Sequence, residues 1–93
     1  MPTVVALTRL AKKNLKKIPR HILIQLDLWI EILETEGLLA MQKINGYKDH
    51  PLIGDRKGQR SSSLSRSWRV IYKIDVDQDL ILIEILEVNH HDY

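Results

Sequence analysis

The chain has no cysteine, which excludes disulfide stapling and thiol chemistry and suits a reducing cytoplasm. No apolar run approaches the roughly 18 residues needed to cross a bilayer. The opening residues Met1-Pro2-Thr3-Val4-Val5 lack the basic-then-apolar order of a secretory signal. The expectation is a cytoplasmic domain with no membrane partner. Internal repeats and low-complexity tracts are also missing. The adjacent His90 and His91 lack the further ligands of a metal site, so neither metal nor cofactor is expected. What remains is a single domain spanning all 93 residues. At that size a chain buries only roughly 60–65 % of the surface its unfolded form exposes.

Net charge is +2, but the charges are grouped. Arg9, Lys12, Lys13, Lys16, Lys17 and Arg20 precede the first acid, Asp27. Asp27, Glu31, Glu34 and Glu36 form an acidic stretch. From Lys43 to Lys73, basic residues outnumber acids eight to two. After Asp75 the chain is acidic again apart from its histidines. This blocking predicts a side facing a polyanion and a separate solvated side.

Pro2 to Leu7 is β-branched and apolar and reads as a strand, with Thr8 suited to cap a following helix through its hydroxyl. Leu10, Ala11, Leu15 and Ile18 recur at helical spacing with lysines between them, and Pro19 either ends that helix or begins the next. His21 to Glu36 carries both a strand-like alternation and a helical stripe of Ile22, Leu26, Trp29, Ile30 and Leu33. Its length decides for helix, since strands average about 5–6 residues, and Gly37 suits the position after a helix. Leu38 to Ile44 continues as a short helical turn that Asn45-Gly46 breaks. Lys48 to Gln59 reads as loop. Strands are expected at Arg60 to Ser65, Trp68 to Asp75 and Leu80 to Val88, with a turn at 75–79. Trp68, Val70, Tyr72 and Ile74 should face one way and Arg69, Ile71 and Lys73 the other. The order is β-α-α-β-β-β.

Three segments carry a family pattern: Gly54-Asp55-Arg56-Lys57-Gly58-Gln59-Arg60-Ser61, Leu64-Ser65-Arg66-Ser67-Trp68-Arg69-Val70-Ile71-Tyr72, and Glu87-Val88-Asn89-His90-His91-Asp92-Tyr93. Together they resemble RelE/StbE- and HigB-type toxins of the RelE/ParE superfamily. Ala11-Lys12-Lys13-Asn14-Leu15-Lys16-Lys17-Ile18-Pro19 is similar to that superfamily's first helix. The resemblance implies an α+β fold, a small twisted and mostly antiparallel sheet with two helices packed on one face. It implies the toxin of a type II toxin–antitoxin system that cleaves messenger RNA on the ribosome without a metal. An antitoxin bound in a hetero-oligomer is implied as partner. Two alternatives accompany it: a ParE-like toxin that inhibits DNA gyrase without chemistry, and a degenerate member that only binds antitoxin.

Cleavage by internal attack requires deprotonation of a 2′-hydroxyl, stabilisation of charge on the phosphate, and protonation of the leaving oxygen. By the resemblance, Arg69 is the residue on the scissile phosphate. A guanidinium suits the task because its planar fork engages two oxygens and stays charged. His91 and Tyr93 are the implied proton carriers; which of His90 and His91 faces the site stays open. Arg56, Lys57, Arg60 and Arg66 are expected to bind RNA phosphates without reading sequence. Ser61 and Ser63 stand where relatives often carry lysine or arginine; a serine can hydrogen-bond a phosphate but cannot neutralise it. His21 and His50 are read as structural. The basic face of Lys12, Lys13, Lys16, Lys17 and Arg20 suits either ribosomal RNA or an acidic antitoxin segment.

Overall fold

The computed structural model describes residues 1–90. The chain begins with β1 (Thr3–Leu7), α1 (Arg9–Leu15), α2 (Arg20–Glu36) and a short α3 (Leu38–Gln42). A 3-10 turn at Asn45–Tyr47, β2 (His50–Pro51) and a second turn at Gly54–Arg56 lead to β3 (Arg60–Ser63), β4 (Trp68–Asp77) and β5 (Leu80–His90). In the sheet the order is β1-β5-β4-β3-β2; β1 and β5 run parallel and the other neighbours antiparallel. This is the expected α+β arrangement, with the short turn expected from Leu38 forming α3 and one short strand, β2, added to it.

Three helix boundaries follow from local chemistry. Thr8 caps α1, its hydroxyl accepting from the Ala11 amide at 3.1 Å. Pro19 begins α2: its carbonyl accepts from the amides of Ile22 and Leu23 at 3.0 and 3.1 Å, and proline has no amide to leave unpaired there. Gly37 closes α2 at φ 96°, a conformation other residues adopt only under strain.

Two segments differ from their sequence reading. Lys48 to Gln59 is not wholly loop, because His50 and Pro51 pair with Ser61 and Arg60. Two residues at a sheet edge show no periodicity for a pattern to reveal, and an edge tolerates proline. The 75–79 turn contracts to Gln78–Asp79, since Asp75, Val76 and Asp77 continue β4 opposite Leu82, Ile81 and Leu80. Cross-strand pairing overrides the turn preference of the aspartates.

The core lies between the helices and one face of the sheet. Ile22, Leu26, Trp29 and Leu33, one stripe of α2, are 0–2 % exposed and meet Val70, Tyr72, Ile83, Ile85 and Val88 in one cluster. Burial of each such side chain contributes about 1.5–3 kcal/mol. The Trp29 and Tyr72 rings meet edge-on at 5.2 Å.

A bulge decides what the opposite face presents. Tyr72 pairs with Ile85 and Ile71 with Glu87, so the register passes over Leu86. Ile81, Ile83 and Ile85 face the core; unbroken alternation would send Glu87 and Asn89 there too. The extra residue instead turns Val88 inward and Glu87 and Asn89 outward. α1 satisfies the backbone groups that the bulge releases: the Thr8 hydroxyl donates to the Leu86 carbonyl at 2.8 Å, and the Asn14 side-chain oxygen accepts from the Val88 amide at 3.1 Å.

Candidate functional site

On the sheet face away from the helices, residues paired across strands share a side. Arg69 therefore lies between Ser63 and Asn89, Ile71 between Ser61 and Glu87, and His50 beside Ser61. This brings Arg69 into a cleft of about 170 Å³ whose cations are Lys48, Arg66 and Arg69. His50, Trp68 and the serines Ser61, Ser63 and Ser65 complete its lining. A shallower trough bounded by Lys48, Gly46 and Arg66 adjoins it and shares Ser63 and Ser65.

Each cleft side chain has a local reason for its place. The Arg69 Nε donates to the Asn89 Oδ1 at 3.0 Å, and the Asn89 side-chain amide donates to Glu87. The other Glu87 oxygen accepts from Arg56 Nη2 at 3.0 Å, and Arg56 Nη1 donates to Gln59 at 2.9 Å. The chain of bonds orients the Arg69 guanidinium through its inner nitrogen. Among the described residues its terminal fork carries no hydrogen bond, the arrangement needed to receive a phosphate. Arg66 sits in the tight connection of β3 to β4, where the Ser65 hydroxyl accepts from the Ser67 and Trp68 amides at 3.3 and 3.2 Å.

His50 has a defined protonation pattern. Its Nδ1 lies 2.8 Å from the Lys48 carbonyl oxygen. A carbonyl only accepts, so Nδ1 carries the proton and the neutral ring keeps its lone pair on Nε2. A bare imidazole nitrogen in a cleft of cations is equipped to take a proton from a hydroxyl. His50 thus lines the cleft, a place that the sequence did not reveal. Its partners come from β3 and β4, far along the chain; the only local signal is Lys48-Asp49-His50, where alternate positions share a side.

The remaining sequence candidates separate. Arg60 is on the helix side, its Nε 2.8 Å and its Nη2 2.7 Å from Asp49 Oδ1. Burial alone would lower its pKa, but hydrogen bonding and charge from Asp49 outweigh that and raise it. Arg56 is paired with Glu87, and Lys57 is exposed on the loop. None of these three lines the cleft. The His90 ring packs edge-on against Trp68 at 5.2 Å. His91 and Tyr93 lie outside the described residues. His21 is exposed on α2, and the basic residues of α1 and Arg20 are solvent-facing. Among the described residues no helix is long and apolar enough to cross a membrane. Among the described residues no three metal-ligating side chains converge.

A five-stranded mixed sheet of this kind with its helices is the fold of RelE-like toxins. A sequence description of the family "ParE toxin of type II toxin-antitoxin system, parDE" matches residues 5–92. The chain belongs to this family, within the RelE/ParE superfamily, and is the toxin of a type II toxin–antitoxin system. No curated protein matches it significantly by sequence. Among solved structures it is similar to YafQ from E. coli strain BL21(DE3), with 22 % identity, TM-score 0.71, and coverage of 95 % of this chain and 92 % of that one. The toxin–antitoxin complex RelBE2 from Mycobacterium tuberculosis aligns with 25 % identity and TM-score 0.67 over 98 % of this chain and 100 % of that one. A YoeB/ParE toxin from Agrobacterium tumefaciens gives 14 % identity and TM-score 0.69 over 95 % and 98 %.

Proposed function

We propose that this toxin is an endoribonuclease that cleaves messenger RNA on the ribosome using side chains alone, and that a cognate antitoxin restrains it in a hetero-oligomer. The observation that carries the reading is the cleft, which the Arg69 guanidinium, Lys48 and Arg66 line together with a histidine whose Nδ1 is engaged by a backbone carbonyl, so that its neutral ring accepts a proton through Nε2. In the reaction, His50 Nε2 accepts the proton of a ribose 2′-hydroxyl. The 2′-oxygen bonds to phosphorus, and the bond from phosphorus to the 5′-oxygen breaks, leaving a 2′,3′-cyclic phosphate and a 5′-hydroxyl. Arg69, with Lys48 and Arg66, stabilises the extra charge on the phosphoryl oxygens. Ser61 and Ser63 supply hydroxyls along the strand without adding charge. The 5′-oxygen leaves with a proton, a task for which His91 and Tyr93 are the candidates.

The family match favours a second reading, in which the chain inhibits DNA gyrase without chemistry. One experiment separates them: expression in translating bacteria with mapping of messenger 5′ ends, beside a gyrase supercoiling assay. New ends within codons that vanish in Arg69→Ala and His50→Gln support cleavage. Gyrase inhibition with no new RNA ends replaces it with the second reading.

A further inference from the structure

We propose that Asp49 is a positioning residue for the cleft: anchored beneath the sheet by Arg60, Ser62 and Tyr72, it holds the Lys48–His50 segment so that both flanking side chains face the reacting phosphate. The inference rests on the proposed reaction for its kinetic consequence, and on geometry alone for its structural one.

The Asp49 side chain is 0 % exposed. Its Oδ1 accepts from Arg60 Nε and Nη2 at 2.8 and 2.7 Å. Its Oδ2 accepts from the Ser62 hydroxyl at 2.5 Å and the Tyr72 hydroxyl at 2.6 Å. A buried carboxylate is costly unless its lone pairs are met, and here donors from two strands meet them. Burial first, and the Asp49 bond and charge next, push the Tyr72 hydroxyl well above its ordinary pKa, so it stays a donor.

The segment is otherwise held from its two ends, where Tyr47 is buried in the core, the Lys48 amide donates to the Asn45 carbonyl at 3.1 Å and the Leu52 amide to the Gln59 carbonyl at 2.9 Å. Lys48, His50 and Pro51 are exposed, so apolar burial contributes little. β2 offers only two paired residues. Lys48 sits in the left-handed region at φ 47°, ψ 40°, which an L side chain disfavours. Between those two ends the buried carboxylate of Asp49, the next residue, is the side-chain anchor that helps maintain that conformation. With its side chain directed under the sheet, Lys48 and His50 are left on the cleft side, and the Lys48 carbonyl sets which His50 nitrogen carries the proton. Arg60 takes the role of counter-ion to this anchor, which accounts for its absence from the cleft.

The test combines single-turnover cleavage of messenger RNA on ribosomes with nitrogen NMR of the His50 ring in the free toxin. Asp49→Asn keeps the shape but weakens the anchor. We expect cleavage to slow by about 100-fold, the scale of a small displacement at a reacting centre, with RNA affinity little changed. The His50 ring should lose its fixed Nδ1–H form. The double variant Asp49→Asn/His50→Gln should lose clearly less than the product of the two single losses, as required of a residue acting in part through His50. If Asp49→Asn is too unstable to assay, Tyr72→Phe removes a single donor and should give a smaller loss with the same NMR change. Wild-type cleavage with an unaltered His50 signal overturns the inference, as do losses that multiply in the double variant. If the wild-type toxin cleaves no RNA, the proposed reaction fails while the NMR comparison still decides whether Asp49 positions His50.

Discussion

On its helix side the sheet presents Val70, Tyr72, Ile83, Ile85 and Val88, at 0–2 % exposure, to the stripe of α2. From the same strands its other side presents Arg69, Lys73, Glu84, Glu87 and Asn89, cross-linked by ion pairs and by hydrogen bonds of the Asn89 side-chain amide. The first face is close-packed and tolerates no loss of volume. The second, apart from the fully buried Ile71, is polar and partly exposed, so its charged residues can serve a ligand without supporting the fold. Asp49 joins the two: it lies beneath the sheet with Tyr72, and its neighbours Lys48 and His50 stand in the cleft.

The strongest way to break the comparison is at the core. Trp29→Ala should cost about 3–5 kcal/mol of stability, read as a lowered denaturation midpoint, with activity lost only as far as the chain unfolds. Arg69→Ala is the converse. Cleavage should fall about 10²–10³-fold, as for loss of one stabilising donor, while stability changes by no more than about 1 kcal/mol. A destabilisation as large as that of Trp29→Ala would contradict the separation of the two faces.

Alkaline pH probes the Tyr72 side. Its pKa in the folded chain is raised by burial, then by Asp49. Its contribution is therefore fully present below the unfolded value of about 10 and is lost as pH rises through the folded one. Thermal melts from neutral pH upward should show stability falling above about pH 10, less steeply in Tyr72→Phe. An identical decline in both proteins would show that Tyr72 is not responsible.

Smaller effects sharpen the open face. Ser63→Lys adds a cation beside Arg69, so the logarithmic salt dependence of RNA binding should steepen by about one. Arg56→Ala removes an ion pair whose arginine is 40 % exposed, and should change stability by about 0–1 kcal/mol. Its effect on cleavage, transmitted through Glu87 and Asn89, should be far weaker than that of Arg69→Ala.

Much of the fold was legible because its signals are local. The length of 21–36 told helix from strand, Gly37 marked its end, and the alternation from Trp68 separated Arg69 from Val70. Arg66, Arg69, Ser61 and Ser63 could be singled out in sequence, and all line the cleft. His50 and Lys48 could not, since their place depends on β2 pairing with β3. Arg60 looked like a phosphate ligand because nothing in the chain near it shows that Asp49 will pair with it below the sheet.

Periodicity, capping and turn chemistry thus established the helices, the long strands and the basic character of the second half, because each depends on residues within a few positions of one another. Which charges meet was settled in three dimensions. The bulge at Leu86, held by Thr8 and Asn14, sends Glu87 and Asn89 out to Arg69, and Asp49 draws Arg60 away and leaves His50 in the cleft. Register and bulges are properties of paired strands, and a shift of one residue exchanges the two faces, so no single segment encodes them.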